Sequence, residues 1–149
     1  PTVVTLYLLD IINLELRPRL QQELRPGTRI VSHAFDMADW KPDQHQRLSS
    51  ANLYKWLVPA PVRGNWQWRN QAGDVYRVSL KQSFQKLSGQ AWFNGEAVTL
   101  HRTRLAGDVL EISIKPKHAG PAHNFVMRWQ RDQLLPVDDH GQDGPATRI

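Results

Sequence analysis

The sequence predicts a mixed α+β chain. A β-α-β unit comes first, and an antiparallel β-meander, curled into a sandwich or partial barrel, follows it. Three observations carry this. Thr2 to Leu9 is an almost unbroken apolar run with β-branched residues in front, the pattern of a strand buried on both faces. A helix-like series comes next, and then a second apolar run, "RIVSHAF". From Gly64 onward the texture changes to alternation with period two, as in half-buried antiparallel strands.

The helix is expected to start at Asp10, a residue able to cap it. Ile11, Ile12, Leu14, Leu16, Leu20 and Leu24 give it an apolar face. Pro18 either kinks it or opens a second helix at its first turn. "RPGT" at 25–28 ends it, with Gly27 placed for a left-handed cap. A strand, a crossover of this length and a second buried strand imply a right-handed parallel pair. Residues 36–52, "DMADWKPDQHQRLSSAN", read as a polar loop.

In the second half, "VYRVSLKQ" turns Tyr76, Val78 and Leu80 one way and Arg77, Ser79 and Lys81 the other. Asn94-Gly95 and Gly107-Asp108 are two-residue hairpin signals, and "HNFVMRWQRDQLL" turns at Asp132-Gln133. With "NWQWRN" these give about five or six antiparallel strands. The domain expectation is 1–60 for the α/β part and 61–149 for the β part. The polar tail "PVDDHGQDGPATRI" is expected to be loose apart from a short final strand.

Composition narrows the classes. The chain has 149 residues, no Cys and no apolar run near the length that spans a bilayer. Disulfides and thiolate metal sites are therefore excluded. The first residue is Pro1 rather than Met, so a processed start or a segment of a longer chain is expected. Net charge is +5. Residues 1–60 hold seven basic and six acidic side chains, and 61–149 hold twelve and eight. The excess lies in the second half but falls singly along it, as in Arg77, Lys81, Lys86, Arg102 and Arg104. That spread reads as a solvated face, and a nucleic-acid partner is not expected. The six His residues show no metal-ligand spacing on a common element.

In open α/β sheets, ligands sit outside the carboxyl ends of the strands. That rule selects Leu8, Leu9 and Asp10 after the first strand, and Ser32, His33, Phe35 and Asp36 at and after the second. Asp10 also serves as a plain helix cap and His33 as a plain strand-end residue. Trp40 either stacks on a substrate or packs beneath its loop.

The segment "TVVTLYLL…NLELRPRLQQELRPGTRIVSHAFDMADWKPD" resembles the second half of a class I S-adenosylmethionine-dependent methyltransferase. The first run matches that family's fourth strand and "LRPGTRIVS" the turn into its fifth. "NLYKWLVPA" at 52–60 resembles a later strand, and the β-rich tail after it resembles an arrangement seen in the family. The resemblance implies a partial Rossmann-like unit that moves a methyl group from S-adenosylmethionine to an unidentified protein or small-molecule acceptor. It implies Leu8, Leu9, Asp10 and Asn13 on the acceptor side, with His33, Asp36 and Trp40 at the rim.

The family binds its cofactor through a Gly-rich turn after the first strand and an acidic residue after the second. Here no Gly-rich turn lies between a strand and a helix. The chain alone is therefore expected to lack the cofactor-binding half and to be inactive. The alternative reading is a β-barrel-like module that binds a ligand or protein without catalysis. "RGNWQWR" at 63–69 is similar, over three residues, to the Gly-x-Trp of lipocalin-like barrels. A homodimer through an exposed first strand is a further expectation. The cytoplasm is the expected compartment, with secretion or the periplasm left open.

Overall fold

The computed structural model describes residues 3–7, 10–33, 35–48, 51–116, 120–137 and 141–149. The chain divides into two compact units, Pro1–Ala60 and Pro61–Ile149.

In the first unit, β1 (Val3–Leu6) runs parallel to β2 (Arg29–His33), with α1 (Asp10–Glu23) between them in the chain. β3 (Gln44–Leu48) and β4 (Ala51–Leu57) form a hairpin, and β4 lies antiparallel to β2. The sheet order is β1-β2-β4-β3. Ile30, Trp40, Trp56 and Val58 are fully buried. Gly27 takes a φ of 87°, and its N–H donates to the Val58 carbonyl at 2.7 Å. The turn after α1 is thereby tied to the end of β4.

Three expectations are corrected here. Of the two expectations for Pro18, a second helix opening there is not found, because α1 runs through it as one helix. Pro18 withdraws one N–H from the ladder, and Leu14, whose carbonyl would have accepted it, is 39% exposed, so water can take its place. The apolar face is only partly covered. Ile12 is also 39% exposed, whereas the polar Asn13 is fully buried. The expected polar loop at 36–52 contains the strand β3. Its residues, Gln-His-Gln-Arg-Leu, show no apolar alternation because β3 is a sheet edge. Pairing with β4 creates it, and the His45 ring stacks on Tyr54 at 4.6 Å.

The second unit is a closed barrel of eight strands rather than a sandwich or a partial barrel. The strands are β5 (Gly64–Asn70), β6 (Val75–Ser83), β7 (Lys86–Phe93), β8 (Glu96–Ala106), β9 (Val109–Lys115), β10 (His123–Gln130), β11 (Gln133–Pro136) and β12 (Gln142–Arg148). Each pairs antiparallel with the next, and β12 returns to pair with β5. Inward positions are filled by Trp66, Trp68, Tyr76, Val78, Leu80, Leu110, Ile112, Ile114, Phe125 and Met127. Side chains of this size fill an eight-stranded barrel.

The expected count of strands fell short for physical reasons. The β6–β7 hairpin turns at Phe84-Gln85, with Phe84 at a φ of 56°. No Gly or Asn announces it, and a left-handed residue with a side chain costs about 1 kcal/mol. The turn expected at Asp132-Gln133 falls one residue earlier, with Arg131 and Asp132 both at positive φ. The tail, expected to be loose apart from a short final strand, supplies the seven-residue β12. It reads as polar because its register shifts between Asp143 and Thr147, around Gly144 at a φ of 74°. Ala146 is the apolar side chain it buries.

Arg148 fastens the closure. Its Nε donates to both oxygens of Asp132 at 2.9 and 2.8 Å, and Nη2 donates to the Pro61 carbonyl at 2.8 Å. Nη1 donates to the Arg63 carbonyl, and the guanidinium lies 4.3 Å from the Trp66 ring centroid. Gly64 has a φ of 124°, and a Cβ there would stand 2.7 Å from Arg148 Nη1. The Gly-x-Trp spacing therefore serves one guanidinium, with Gly64 leaving it room and Trp66 giving it a ring face.

Replacing Arg148 with Ala is expected to lower the barrel's unfolding free energy by about 2 kcal/mol, from the lost charged hydrogen bonds and ring contact. Arg148→Lys should recover less than half, since an ammonium cannot span Asp132, two carbonyls and a ring at once. Urea unfolding followed by tryptophan fluorescence checks both.

Candidate functional site

Parallel pairing sets Leu6 opposite Ser32. The next residues, Tyr7 and His33, therefore come level at the carboxyl ends of β1 and β2. Their rings lie 5.5 Å apart. Tyr7 is 76% exposed and His33 is exposed. Together they form a ledge where the strand-end rule places a ligand.

The ledge rests on a buried polar pin. The Asn13 amide donates to Ser32 Oγ at 3.1 Å and to the Phe35 carbonyl at 3.4 Å. The Ser32 hydroxyl donates to the same carbonyl at 2.6 Å. Asn13 is fully buried, and its Oδ1 has no partner among the described residues. One turn further along α1, Arg17 donates to the Met37 carbonyl at 3.2 Å and ion-pairs with Asp39. The i, i+4 spacing places Asn13 and Arg17 on one helix face. From there they hold the loop after β2.

The expected site residues do not all come together. Leu8 and Leu9 lie outside the described residues. Asp10 is the first residue of α1. Asn13, His33 and Asp36 gather at the carboxyl end of β2. Asp36 is exposed and accepts the Ala38 N–H at 3.2 Å, a local turn bond. Trp40 is fully buried, and its carbonyl accepts Trp56 Nε1 at 2.7 Å. Its ring packs beneath the loop rather than standing at a rim. Asp43 takes the Leu57 N–H at 2.7 Å, so the acidic loop residues are occupied locally. Among the described residues no three His, Asp or Glu side chains could hold a metal. Tyr7 was missed because it reads as part of the apolar run. Its level with His33 is set by the strand register.

A second constellation lies at one end of the barrel. Tyr76 Oη and His123 Nδ1 are 2.6 Å apart. Asp74 accepts from Asn94 and Asn70, each at 3.0 Å. Those two amides, Asn94 first, hold the Asp74 carboxyl below its usual range. Burial pushes the Tyr76 phenol up, and the Asp74 charge adds to that. Tyr76 stacks on Trp68 at 5.5 Å. A pocket of about 240 Å³ opens here, lined by Asn70, Tyr76, His123, Asn124, Phe125 and Gly141. It offers a polar edge on an aromatic wall. His101 sits where the β8–β9 register shifts.

The loop after β2 depends on Arg17. Its hydrogen bond to Asp39 is the main cause of that carboxyl's lowered pKa. A lowered pKa means stability present above the ordinary carboxylate range and lost as pH falls through the folded value. Arg17→Ala is expected to speed amide exchange at Met37–Trp40. Because the pair is solvent-exposed, its loss should leave global stability nearly unchanged. In the parent chain, exchange at the same amides should rise on acidification. Unchanged exchange in the variant would show that the loop is held otherwise.

No family model matches the chain. It is 44% identical over 52 residues to a protein-lysine N-methyltransferase of Saccharolobus islandicus, covering 35% of this chain and 32% of that protein. The chain thus spans about a third of the length of that curated relative. A crystal structure of an RNA methyltransferase from Salinibacter ruber, in complex with S-adenosyl-L-homocysteine, is 49% identical with a TM-score of 0.40. That match covers 41% of this chain and 40% of the other. Over a part of its length, the chain is related to methyltransferases.

Proposed function

We propose that the first unit is the acceptor-side portion of a Rossmann-like, S-adenosylmethionine-dependent methyltransferase domain, with β1 and β2 as its fourth and fifth strands. The 44% identity over 52 residues carries this reading. The parallel β1–β2 pair and the ledge at its carboxyl ends support it. Methyl transfer is chiefly positioning, with acceptor, methyl and leaving sulfur in line. Tyr7 and His33 stand where an acceptor would be oriented. Asn13, Ser32 and Arg17 fix the backbone beneath them. The acceptor is a protein or a small molecule.

The residues present do not make up the cofactor's own site. Gly27, the one glycine of the first sixty residues, lies in the turn leading into β2 and bonds Val58. That is the end of the strand opposite the ledge. No step is therefore assigned to the cofactor. A second reading makes the barrel the binding part, and the Tyr76–His123 pocket favours it.

Titrating S-adenosyl-L-homocysteine into the ¹⁵N-labelled chain tests both. The expected result is binding weaker than about 100 μM, or about 5.5 kcal/mol, with shifts confined to Leu6–Tyr7 and His33–Asp36. Shifts at Asn70–Tyr76 and His123–Phe125 instead would favour the barrel. A dissociation constant near 1 μM would mean a complete site and overturn the half-site reading.

β1 is an edge of the described sheet, and its VVTL sequence lacks the Lys or Pro that blunts edges. Self-association through this edge is part of the proposal. Sedimentation should show a concentration-dependent dimer that Val4→Lys abolishes. A chain monomeric at all concentrations excludes it.

A further inference from the structure

The cations of the second unit fall singly along the sequence, but the barrel's register gathers several of them. Strands β5, β6 and β7 contain no Asp or Glu. Their inward positions are apolar, so their polar residues face out together. Gln67 stands opposite Arg77, and Arg77 opposite Trp92. Asn65, Ser79 and Gln90 make the next row, and Lys81 pairs with Ser88. Lys86 closes the far end opposite Ser83, and Arg69 flanks Gln67 along β5. The outer face is thus cationic and amide-rich, with one aromatic.

Its charges are available. Among the described residues Arg69, Arg77, Lys81 and Lys86 form no ion pair. Asp74 in the β5–β6 turn is held by Asn70 and Asn94, and Asp143 of β12 stands opposite Arg69 at one border of the face. Arg77 lies 5.6 Å from the Trp92 ring centroid, a guanidinium set beside an indole. Trp92 also lines a groove of about 420 Å³ with Gln90, Ala97 and Thr99. The groove lies where register pairing between β7 and β8 ceases beyond Ala91–Val98.

We infer that this face binds a single-stranded nucleic acid. Phosphates lie along Arg77, Lys81 and Lys86, and one unpaired base enters the groove to stack against Trp92. Arg77 and Lys81 are four strand residues apart, about 13 Å, so they meet separate phosphates. An acidic peptide would satisfy the charges but has no flat ring for the indole. A duplex keeps its bases stacked inside and cannot offer one to the groove. The inference does not depend on the methyltransferase reading, since no cofactor or transfer step enters it.

Fluorescence anisotropy with labelled 12-mers tests it on the whole 149-residue chain. The probes are oligo-uridylate, oligo-thymidylate, a 12-base-pair duplex and polyglutamate. Single strands should bind at 50 mM salt, with affinity falling about sixteenfold by 200 mM for about three neutralised phosphates. Equal binding of the uridylate and thymidylate probes supports a backbone-and-stacking mode. Preference for uridylate supports the same site with an added contact to the 2′-hydroxyl. Arg77→Gln with Lys81→Gln should cut affinity about tenfold and flatten the salt dependence. Trp92→Ala should cut it about tenfold, with Trp92→Phe retaining most of it. Thermal melts identify any variant that has lost its fold, and Trp92→Phe keeps the stacking test valid if Trp92→Ala has. No binding at 50 mM salt overturns the inference. So does equal binding of polyglutamate or duplex, or indifference of a folded Trp92→Ala chain to the substitution.

Discussion

The second unit depends on one closure, the return of β12 to β5. An eight-stranded sheet that stayed open would leave two strand edges with unpaired backbone groups, a penalty in both stability and solubility. Closure removes both edges but must be held at the seam where the last strand meets the first. Arg148 does this with a single planar cation. It reaches the β10–β11 turn through Asp132, the segment before β5 through two carbonyls, and the Trp66 ring by its face. Trp66 is itself fixed by donating Nε1 to the Val62 carbonyl at 2.9 Å.

The first unit is organised differently. Its central strand, β2, has a partner on each side, and its fully buried Ile30 lies between them. The loop after β2 is ordered by polar contacts from α1 rather than by apolar packing. Asn13 and Ser32 share the Phe35 carbonyl, and Arg17 takes Met37 and Asp39. Beneath the loop, Trp40 and Trp56 provide the apolar floor, with ring centroids 6.0 Å apart. This arrangement suits a ledge that must present exposed side chains while its backbone stays put. Among the described residues the buried Asn13 Oδ1 beside it has no partner.

Three chemical environments result. At the ledge, exposed rings stand over a fixed backbone. At the barrel end, the Tyr76 phenol is buried and its neighbour Asp74 is kept ionised by amides. On the outer wall, charge density arises because three neighbouring strands all omit acids. Barrel geometry separates these environments by alternation, so an inward Tyr76 and an outward Arg77 are consecutive residues with unrelated surroundings.

Several features were legible in the sequence because they are local. The β1–α1–β2 order follows from apolar runs and the RPGT turn. The hairpins at Asn94-Gly95 and Gly107-Asp108 follow from residues that tolerate positive φ. Inward Tyr76, Val78 and Leu80 follow from period two, and the methyltransferase resemblance from two stretches of the first sixty residues. Features set by partners distant in the chain were not legible. β3 has no pattern of its own and exists through β4. A short final strand could be expected in the tail, but its extent could not, because the bulge hides the alternation of β12 and its pairing is with β11 and β5. Tyr7 meets His33 only through parallel register, and Tyr76 meets His123 across 47 residues. Trp40 was undecided between stacking and packing until burial placed it in the floor. The cations were read as dispersed because sequence spacing measures distance along one strand. Their convergence on one wall is fixed by the register of three.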